Sequence, residues 1–331
     1  MKTNNKNIKS KNNIILLKFN KKVKIYKFKI VILIILFINF TFFQILNYKN
    51  LKVCVCTPAK KENRYIREFI EHYKNYNVDK IFLYDNNDLN GERFEEVIND
   101  YIQTGFVDIV DFRGQKRVLL NMMNDCYKKN YHKYDWLIFF EVDEFIYLKD
   151  YHNIKEYLNN NRFNKCDKIQ LNWLFHTDNN LLYYDNRTLK ERFPEIELKA
   201  RGVKKGPGNA VKSITRGHKP KIEIKDVHNL YNTYKNCDGF GKPAKINGIS
   251  CEISDFEYYY IDHYNFKSTE EFIDKINKGD VLYYKDNIID RIRTYFGVNK
   301  ITKEKIEFIE KETKTNLAEF RNILNLQNKN Q

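Results

Sequence analysis

The stretch Trp136-Leu-Ile-Phe-Phe-Glu-Val-Asp-Glu-Phe145 decides the fold, because an unbroken apolar run empties there into three carboxylates, Glu141, Asp143 and Glu144. Bulky apolar and aromatic residues without polar alternation mark a strand buried on both faces, as in a parallel sheet. The carboxyl end of such a strand is where open α/β sheets bind ligands. Two carboxylates at i and i+2 with a third adjacent offer hard oxygen donors to Mg2+ or Mn2+, the ions that neutralise a diphosphate. An inert, solvated acidic turn after a core strand fits the same residues, so the flanking sequence has to choose.

Upstream, residues 52–56 read as a buried strand, and residues 64–76 place Ile66, Phe69, Ile70 and Tyr73 at helical spacing. A second strand over 80–84 ends in the turn-rich Asp85-Asn-Asn-Asp-Leu-Asn-Gly91. A helix over 92–103, a strand over 106–110 and a helix over 117–129 lead to the acidic strand. Four strands with three intervening helices predict an α/β, doubly wound, mostly parallel sheet, whose carboxyl edge gathers residues 57–63, 85–88 and 141–144. No G-x-G-x-x-G follows the first strand and no P-loop motif occurs, which removes the main support for dinucleotide and P-loop chemistry.

Downstream the pattern loosens into an α+β C-terminal portion. A short helix is expected over 152–160 and a strand over 168–175, then a long functional loop to about residue 211. Strands are expected over 211–215, 222–228 and 258–264. Ser268-Thr-Glu-Glu271 has capping-box form and starts a helix to residue 278, and residues 303–324 read as one further amphipathic helix.

The formal charge of +15 suggests a polyanion binder, but twelve Lys and no Arg, Asp or Glu in residues 1–52 account for +12 of it. The remaining +3 is no footprint for nucleic acid, so no nucleic-acid partner is expected. Residues 1–29 form a basic tail expected to be disordered, followed by seventeen uncharged residues, 30–46, with Tyr26 and Tyr48 flanking. The run continues in bulky residues without a small-residue cleavage site, so we read 30–48 as a transmembrane signal anchor and not a cleaved signal peptide. Ten Lys precede it, which puts the N-terminus in the cytosol and the rest on the far side. A folded domain over 50–281 and a C-terminal helical segment over 282–331 complete the expected organisation.

The six Cys fit no zinc spacing. Cys54 and Cys56 share a strand face and are expected to pack, while a bridge such as Cys237 to Cys251 is permitted in an oxidising compartment. Asn186-Arg-Thr188 is a glycosylation sequon on the far-side portion.

Several blocks in order, Val53 to His72 with Lys60-Lys-Glu-Asn63, Ile81-Phe-Leu-Tyr-Asp-Asn-Asn87, Gln115 with Asn124-Asp-Cys126, and Trp136 to Phe145, resemble the glycosyltransferase family 92 domain and its family 2-like relatives. So do Val211-Lys-Ser-Ile214, His228, Ile261-Asp-His-Tyr-Asn-Phe-Lys-Ser268 and Glu271-Phe-Ile-Asp-Lys275. The resemblance implies a GT-A fold, a metal-dependent hexosyltransferase with a nucleotide-sugar donor, UDP-galactose foremost, and a glycan or glycoprotein acceptor. A Golgi membrane, with the catalytic domain facing the lumen, is the corresponding location. Glu141 stands where that family usually has Asp.

On this basis Asp143 is the expected metal ligand, Glu141 a ribose or metal contact, and Glu144 a supporting residue. A late His is expected to complete the Mn2+ or Mg2+ shell, with His228 first and His263 as the alternative. Thr57, Lys60, Glu62, Asn63, Asp85, Gln115, Glu141 and Lys212 are the expected donor-binding residues, with Asp85 reading the nucleoside and Lys212 or Arg216 assisting the diphosphate. If the reaction inverts, Asp178, Asp238 and Glu252 are alternative bases. An inactive anchored module that binds glycan or sugar nucleotide is the competing reading, motivated by Glu141. A two-metal phosphoesterase ranks last, because this chain clusters too few ligands.

Overall fold

The computed structural model describes residues 29–30, 33–35, 51–197, 210–220, 222–226, 228, 235–247, 250–251, 255–278 and 287–329. The chain divides into two units, Met1–Asn50 and Leu51–Gln331. In the first only residues 29–30 and 33–35 are described, as helix, so the expected anchor lies largely outside the described residues. Among the described residues no helix is long and apolar enough to cross a membrane.

The second unit begins with the expected alternation: β1 (Val53–Ala59), α1 (Ile66–Asn75), β2 (Lys80–Asp85), α2 (Glu95–Gln103), β3 (Val107–Asp111), α3 (Leu119–Asn130) and β4 (Trp136–Ile138). These strands pair in parallel in the order β3-β2-β1-β4. The apolar stripe of α1, Ile66, Phe69, Ile70 and Tyr73, is fully buried against one face of this sheet. Each such side chain contributes about 1.5–3 kcal/mol relative to exposure. Leu119, Met122, Met123 and Cys126 of α3 pack with Cys54, Cys56 and Leu137 in a second apolar cluster.

The acids follow the carboxyl end of β4, as expected, but β4 itself stops at Ile138, and a new strand, β5 (Glu144–Leu148), begins at the third acid. The break is a closed turn: the Glu141 amide donates to Glu144 Oε2 at 2.9 Å, and the Glu144 amide to the Glu141 carbonyl at 3.0 Å. The sheet is mostly parallel, as expected, with antiparallel pairings confined, among the described residues, to two of its strands. β6 (Lys168–Phe175), β7 (Val211–Arg216), β8 (Asn236–Asp238) and β11 (Tyr259–His263) extend it to nine strands, with β7 antiparallel to β4 and β6, and β5 antiparallel to β11. β9 (Ile246–Asn247) and β10 (Ser250–Cys251) form a separate pair. Residues 222–225 form no strand, contrary to the expectation for that stretch.

Of the helices, α4 (Ile154–Leu158) and α5 (Leu189–Arg192) are short, and α6 (Thr269–Lys278) starts at the expected capping box. Ser268 and Glu271 bond each other's backbone N–H reciprocally, at 3.1 and 3.3 Å. α7 (Ile288–Val298) has no counterpart among the expected elements. The helix expected over 303–324 is two, α8 (Lys303–Thr313) and α9 (Ala318–Lys329), because Lys314 turns left-handed at φ 57° and ends the first. These helices bury Ile292, Tyr295, Ile306, Ile309 and Leu317 in a third cluster with Phe175 and Phe266.

Disulfides join Cys56 to Cys126 and Cys166 to Cys237, so Cys237 pairs with Cys166 and not with Cys251. The first ties β1 to α3, and the second ties the lead-in of β6 to β8. Cys54 is free and buried.

Asp178, a candidate base, anchors the C-terminal helices to the sheet. Its carboxylate pairs with Lys305 Nζ at 2.6 Å, accepts from Tyr295 Oη, and accepts the Asn180 amide at 2.9 Å. Asn299 Oδ1 accepts the Asp178 amide at 2.6 Å. Asp178 and Lys305 are each 1% exposed. Removing one member of such a pair strands the other charge. Asp178→Ala should therefore cost about 3–5 kcal/mol in denaturant unfolding, and adding Lys305→Met should recover most of the loss; an Asp178→Ala protein of unchanged stability would contradict the anchoring role.

Candidate active site

Strand register brings the polar residues of the site to one end and one face of the sheet. Val55 pairs with Ile138, Ile138 with Ile214, Leu171 with Lys212, Ile261 with Trp173, and His263 with Glu144. Paired residues share a face and alternate residues repeat it. Thr57, Lys212, Trp173, His263 and Glu144 therefore continue the apolar face built by Val55, Ile138, Ile214, Leu171 and Ile261.

Each acid in the turn between β4 and β5 meets an ammonium. Glu141, at the rim with its side chain 43% exposed, pairs with Lys212 Nζ at 2.5 Å. Partial burial works against its carboxylate, but Lys212 outweighs it and holds the pKa below the ordinary value. Asp143 is buried, with Lys275 Nζ at 3.1 Å, His263 Nε2 at 3.7 Å and Lys267 Nζ at 3.9 Å. Burial alone would raise its pKa, yet Lys275 foremost, then His263 and Lys267, drive it far below the carboxylate range. Glu144 is fully enclosed; burial, with the Glu141 and Asp143 charges, pushes it up to about 8 against the pull of Lys212 at 3.3 Å. Lys212 itself is 1% exposed, and its two carboxylates keep it protonated despite burial.

A metal fits this constellation at Asp143, Glu144 and His263, each of which offers a donor atom within 4.8 Å of the others. His263 Nδ1 is buried there without a hydrogen bond, and Glu144 Oε1 is met by Lys212 at 3.3 Å. Burial lowers His263 to about 3, which keeps the imidazole neutral, the form that ligates metals. One imidazole and two carboxylates suit Mn2+ or Mg2+. The donor group differs from the expected one in two places. Glu144 belongs to it, whereas Glu141 is turned to Lys212. The first-choice His228 does not: its Nδ1 lies 3.2 Å from the Val211 carbonyl, and its ring packs edge-on against Trp173.

A cavity of 410 Å3 opens beside the acids. Lys61, Glu62, Arg64 and Tyr65, after β1, form one wall; Asn265, Lys267, Glu271, Asp274, Lys275 and Lys278, on α6 and its lead-in, form the other. Glu62 reaches across it to Lys278. The far wall is fixed by Glu271, which takes both Arg192 guanidinium nitrogens, at 2.7 and 3.2 Å, and the Tyr65 hydroxyl. Lys267 and Lys275 were not among the expected site residues. Their signal was helical spacing: Glu271, Lys275 and Lys278 at i, i+4 and i+7 share a face of α6.

The other expected donor residues are spread along the carboxyl edge. Thr57 is buried, with Oγ1 unpartnered. Lys60 pairs with Asp88 at 3.0 Å, and Asn63 donates to the Arg93 carbonyl at 3.1 Å. Asp85 is buried at the end of β2, bound by Arg113 at 3.0 Å and by the Asn87 amide at 2.8 Å; burial nevertheless raises its pKa. Gln115 has an exposed side chain, and its carbonyl accepts from Asn86. Arg216 lies at the opposite end of the sheet, against Trp136 and the carbonyls of Phe163 and Cys166. Of the candidate bases, neither Asp178 nor Asp238 joins the acids. Asp178 is held by Lys305, Asp238 accepts the Phe240 and Lys242 amides beside Gln170 in mid-sheet, and Glu252 lies outside the described residues.

Comparison with known proteins supplies the family. The model of glycosyltransferase family 92 matches residues 49–317. No curated protein matches the chain. Among solved structures, S. aureus TarS aligns over 76% of this chain and 44% of its own, at 12% identity and a TM-score of 0.33. TarS 1-349 in complex with UDP aligns over 74% of this chain and 70% of its own, at 12% identity and a TM-score of 0.34. The same fragment in complex with UDP-GlcNAc aligns over 74% and 70%, at 11% identity and a TM-score of 0.35. Those superpositions are loose, so the assignment rests on the family match, which spans nearly all of the folded unit: the chain belongs to glycosyltransferase family 92 and is a glycosyltransferase.

Proposed function

We propose that the enzyme moves a hexose, galactose foremost, from a nucleotide-diphosphate sugar, UDP-linked foremost, to a hydroxyl of a glycan or glycoprotein. The observation that carries this reading is the buried Asp143, Glu144 and His263 donor group, whose Asp143 pairs with Lys275 and Lys267 of the cavity wall. Mn2+ or Mg2+ bound there would supply positive charge to the diphosphate as it leaves. Asp143 is the central ligand, because its buried carboxylate lies beside His263 and groups with it and Glu144. Lys212 positions the acidic turn by joining Glu141 to Glu144. Asp85, fixed by Arg113, is suited to accept hydrogen bonds from the nucleoside, with Thr57, Lys60, Glu62, Asn63 and Gln115 along the same edge. With Asp178 and Asp238 engaged elsewhere, Glu252 remains the proposed base.

We further propose an N-in membrane anchor at residues 30–48 and a lumenal catalytic domain in the Golgi. Two disulfides support an oxidising compartment, and Asn186 of the sequon is exposed.

The purified enzyme, given a panel of sugar nucleotides and Mn2+, should turn over at least one donor, and Asp143→Ala should lower that rate by more than about a hundredfold. Absence of Asp143-dependent turnover across the panel would refute the reading; donor binding without turnover, unchanged in Glu141→Asp, would make the chain a binding module. The choice of histidine is tested separately. His263→Ala should weaken Mn2+ binding by calorimetry about 10–100-fold, with His228→Ala near wild type; the reverse order would move the metal shell to His228.

A further inference from the structure

The acids account for a metal, but not for the ammonium groups that crowd them. Lys275 Nζ is 3.1 Å from Asp143 Oδ2 and also bonds the Asn265 carbonyl at 3.2 Å. Lys267 Nζ lies 3.9 Å from the same Asp143 oxygen and 4.5 Å above the Tyr65 ring. Lys267 is 6% exposed and holds a left-handed backbone at φ 55°, a conformation that costs a residue with a Cβ. Burying an ammonium there is also unfavourable without a counter-charge. Asp143 is the one carboxylate within ion-pair distance of either lysine among the described residues.

A divalent ion on Asp143 would draw away the charge that now balances both lysines. Two ammoniums would then face the cavity beside a dication, an arrangement stable only with an anion among them. Lys212 cannot exchange partners as readily, since it is locked between Glu141 and Glu144 at the buried end. Lys275 can: its side chain is 37% exposed and lines the cavity.

We propose that Lys275, supported by Lys267, is a catalytic residue that leaves Asp143 and binds the donor's diphosphate, so that this chain holds a diphosphate through its own ammonium groups as well as through a metal. This rests on the nucleotide-diphosphate donor proposed above. In the transfer, the bond between the anomeric carbon and the β-phosphate oxygen breaks and its electron pair stays on that oxygen. Lys275 donates a hydrogen bond to the diphosphate without giving up its proton. The acceptor oxygen forms the new bond to carbon, and its own proton passes to a base or to water.

The test is calorimetry on the full chain with UDP, UMP and inorganic pyrophosphate, in chelator and in Mn2+. In Mn2+, wild type should bind UDP more tightly than UMP, and chelator should remove most of that preference. Lys275→Met should weaken UDP about 10–100-fold, as for a lost charged hydrogen bond, while leaving UMP unchanged. Lys275→Arg should recover part of the UDP affinity. A thermal melt shows whether Lys275→Met is folded, as expected for a half-exposed side chain. Equal UDP affinity in wild type and Lys275→Met, or no preference for UDP over UMP in Mn2+, overturns the proposal. Pyrophosphate separates it from the donor reading: if pyrophosphate binds with this Lys275 dependence while neither uridine nucleotide binds in Mn2+, the lysine site stands and the uridine donor falls.

Discussion

Three carboxylates at one strand end would repel one another and lose their hydration on burial, so the fold depends on the three ammoniums that meet them. Lys212 answers Glu141 and Glu144, while Lys275 and Lys267 answer Asp143. At these separations, attraction in a partly buried site amounts to several kcal/mol, enough to offset desolvation only while each charge keeps its partner. The balance divides the acids by role. Asp143 stays ionised, whereas Glu144, more deeply enclosed, is pushed up to about 8. A site of this kind pairs each buried acid with at least one ammonium.

The chain topology is what delivers the ammoniums. Lys212 reaches the acids because β7 inserts antiparallel beside β4 and presents its first residues at the end where β4 finishes. His263 does so because β11 runs parallel to β6 and pairs with β5 at Glu144. Lys267, in the lead-in of α6, and Lys275, on it, follow, and the helix is fixed by Glu271 through Arg192 and Tyr65. Glu271 thus serves twice, capping the helix through Ser268 and bracing the cavity wall.

Local pattern made the first half of the fold legible. Fully apolar strands and the 3.6-residue stripe of α1 gave β1 to β4 and their parallel direction, because strand–helix alternation is a local pattern, whereas the order that sets β1 beside β4 is not. The second half depends on distant pairings that leave no local trace. Nothing in the residues of β7 announces that it lies antiparallel between β4 and β6. The partner of Cys237 is 71 residues away, and spacing alone could not choose it. The site was legible to the same extent. Asp143 stood out by its place after a buried strand. The histidine did not: His228 and His263 both follow apolar segments, and only register shows that His263 faces Glu144 while His228 packs edge-on against Trp173. Asp178 looked catalytic because it follows a strand, but a strand end can also carry an anchor when a buried lysine from a later helix is waiting there.

Glu141 is best understood through its partner. Replacing the family's usual Asp by Glu extends the carboxylate by about 1.5 Å, one carbon–carbon bond. Here that extension ends on Lys212, at 2.5 Å. An Asp at this position would fall short of Lys212 by about the added bond length, and the buried ammonium would keep Glu144 alone. Glu144 then would be held more firmly as Lys212's counter-ion and be less free to serve a metal. The longer side chain instead takes over part of that pairing, with Lys212 Nζ 2.5 Å from Glu141 and 3.3 Å from Glu144 Oε1. On this argument the departure at 141 relieves Glu144 of being the sole counter-ion of Lys212, while Glu144, three residues along the chain at the buried start of β5, stays grouped with Asp143 and His263.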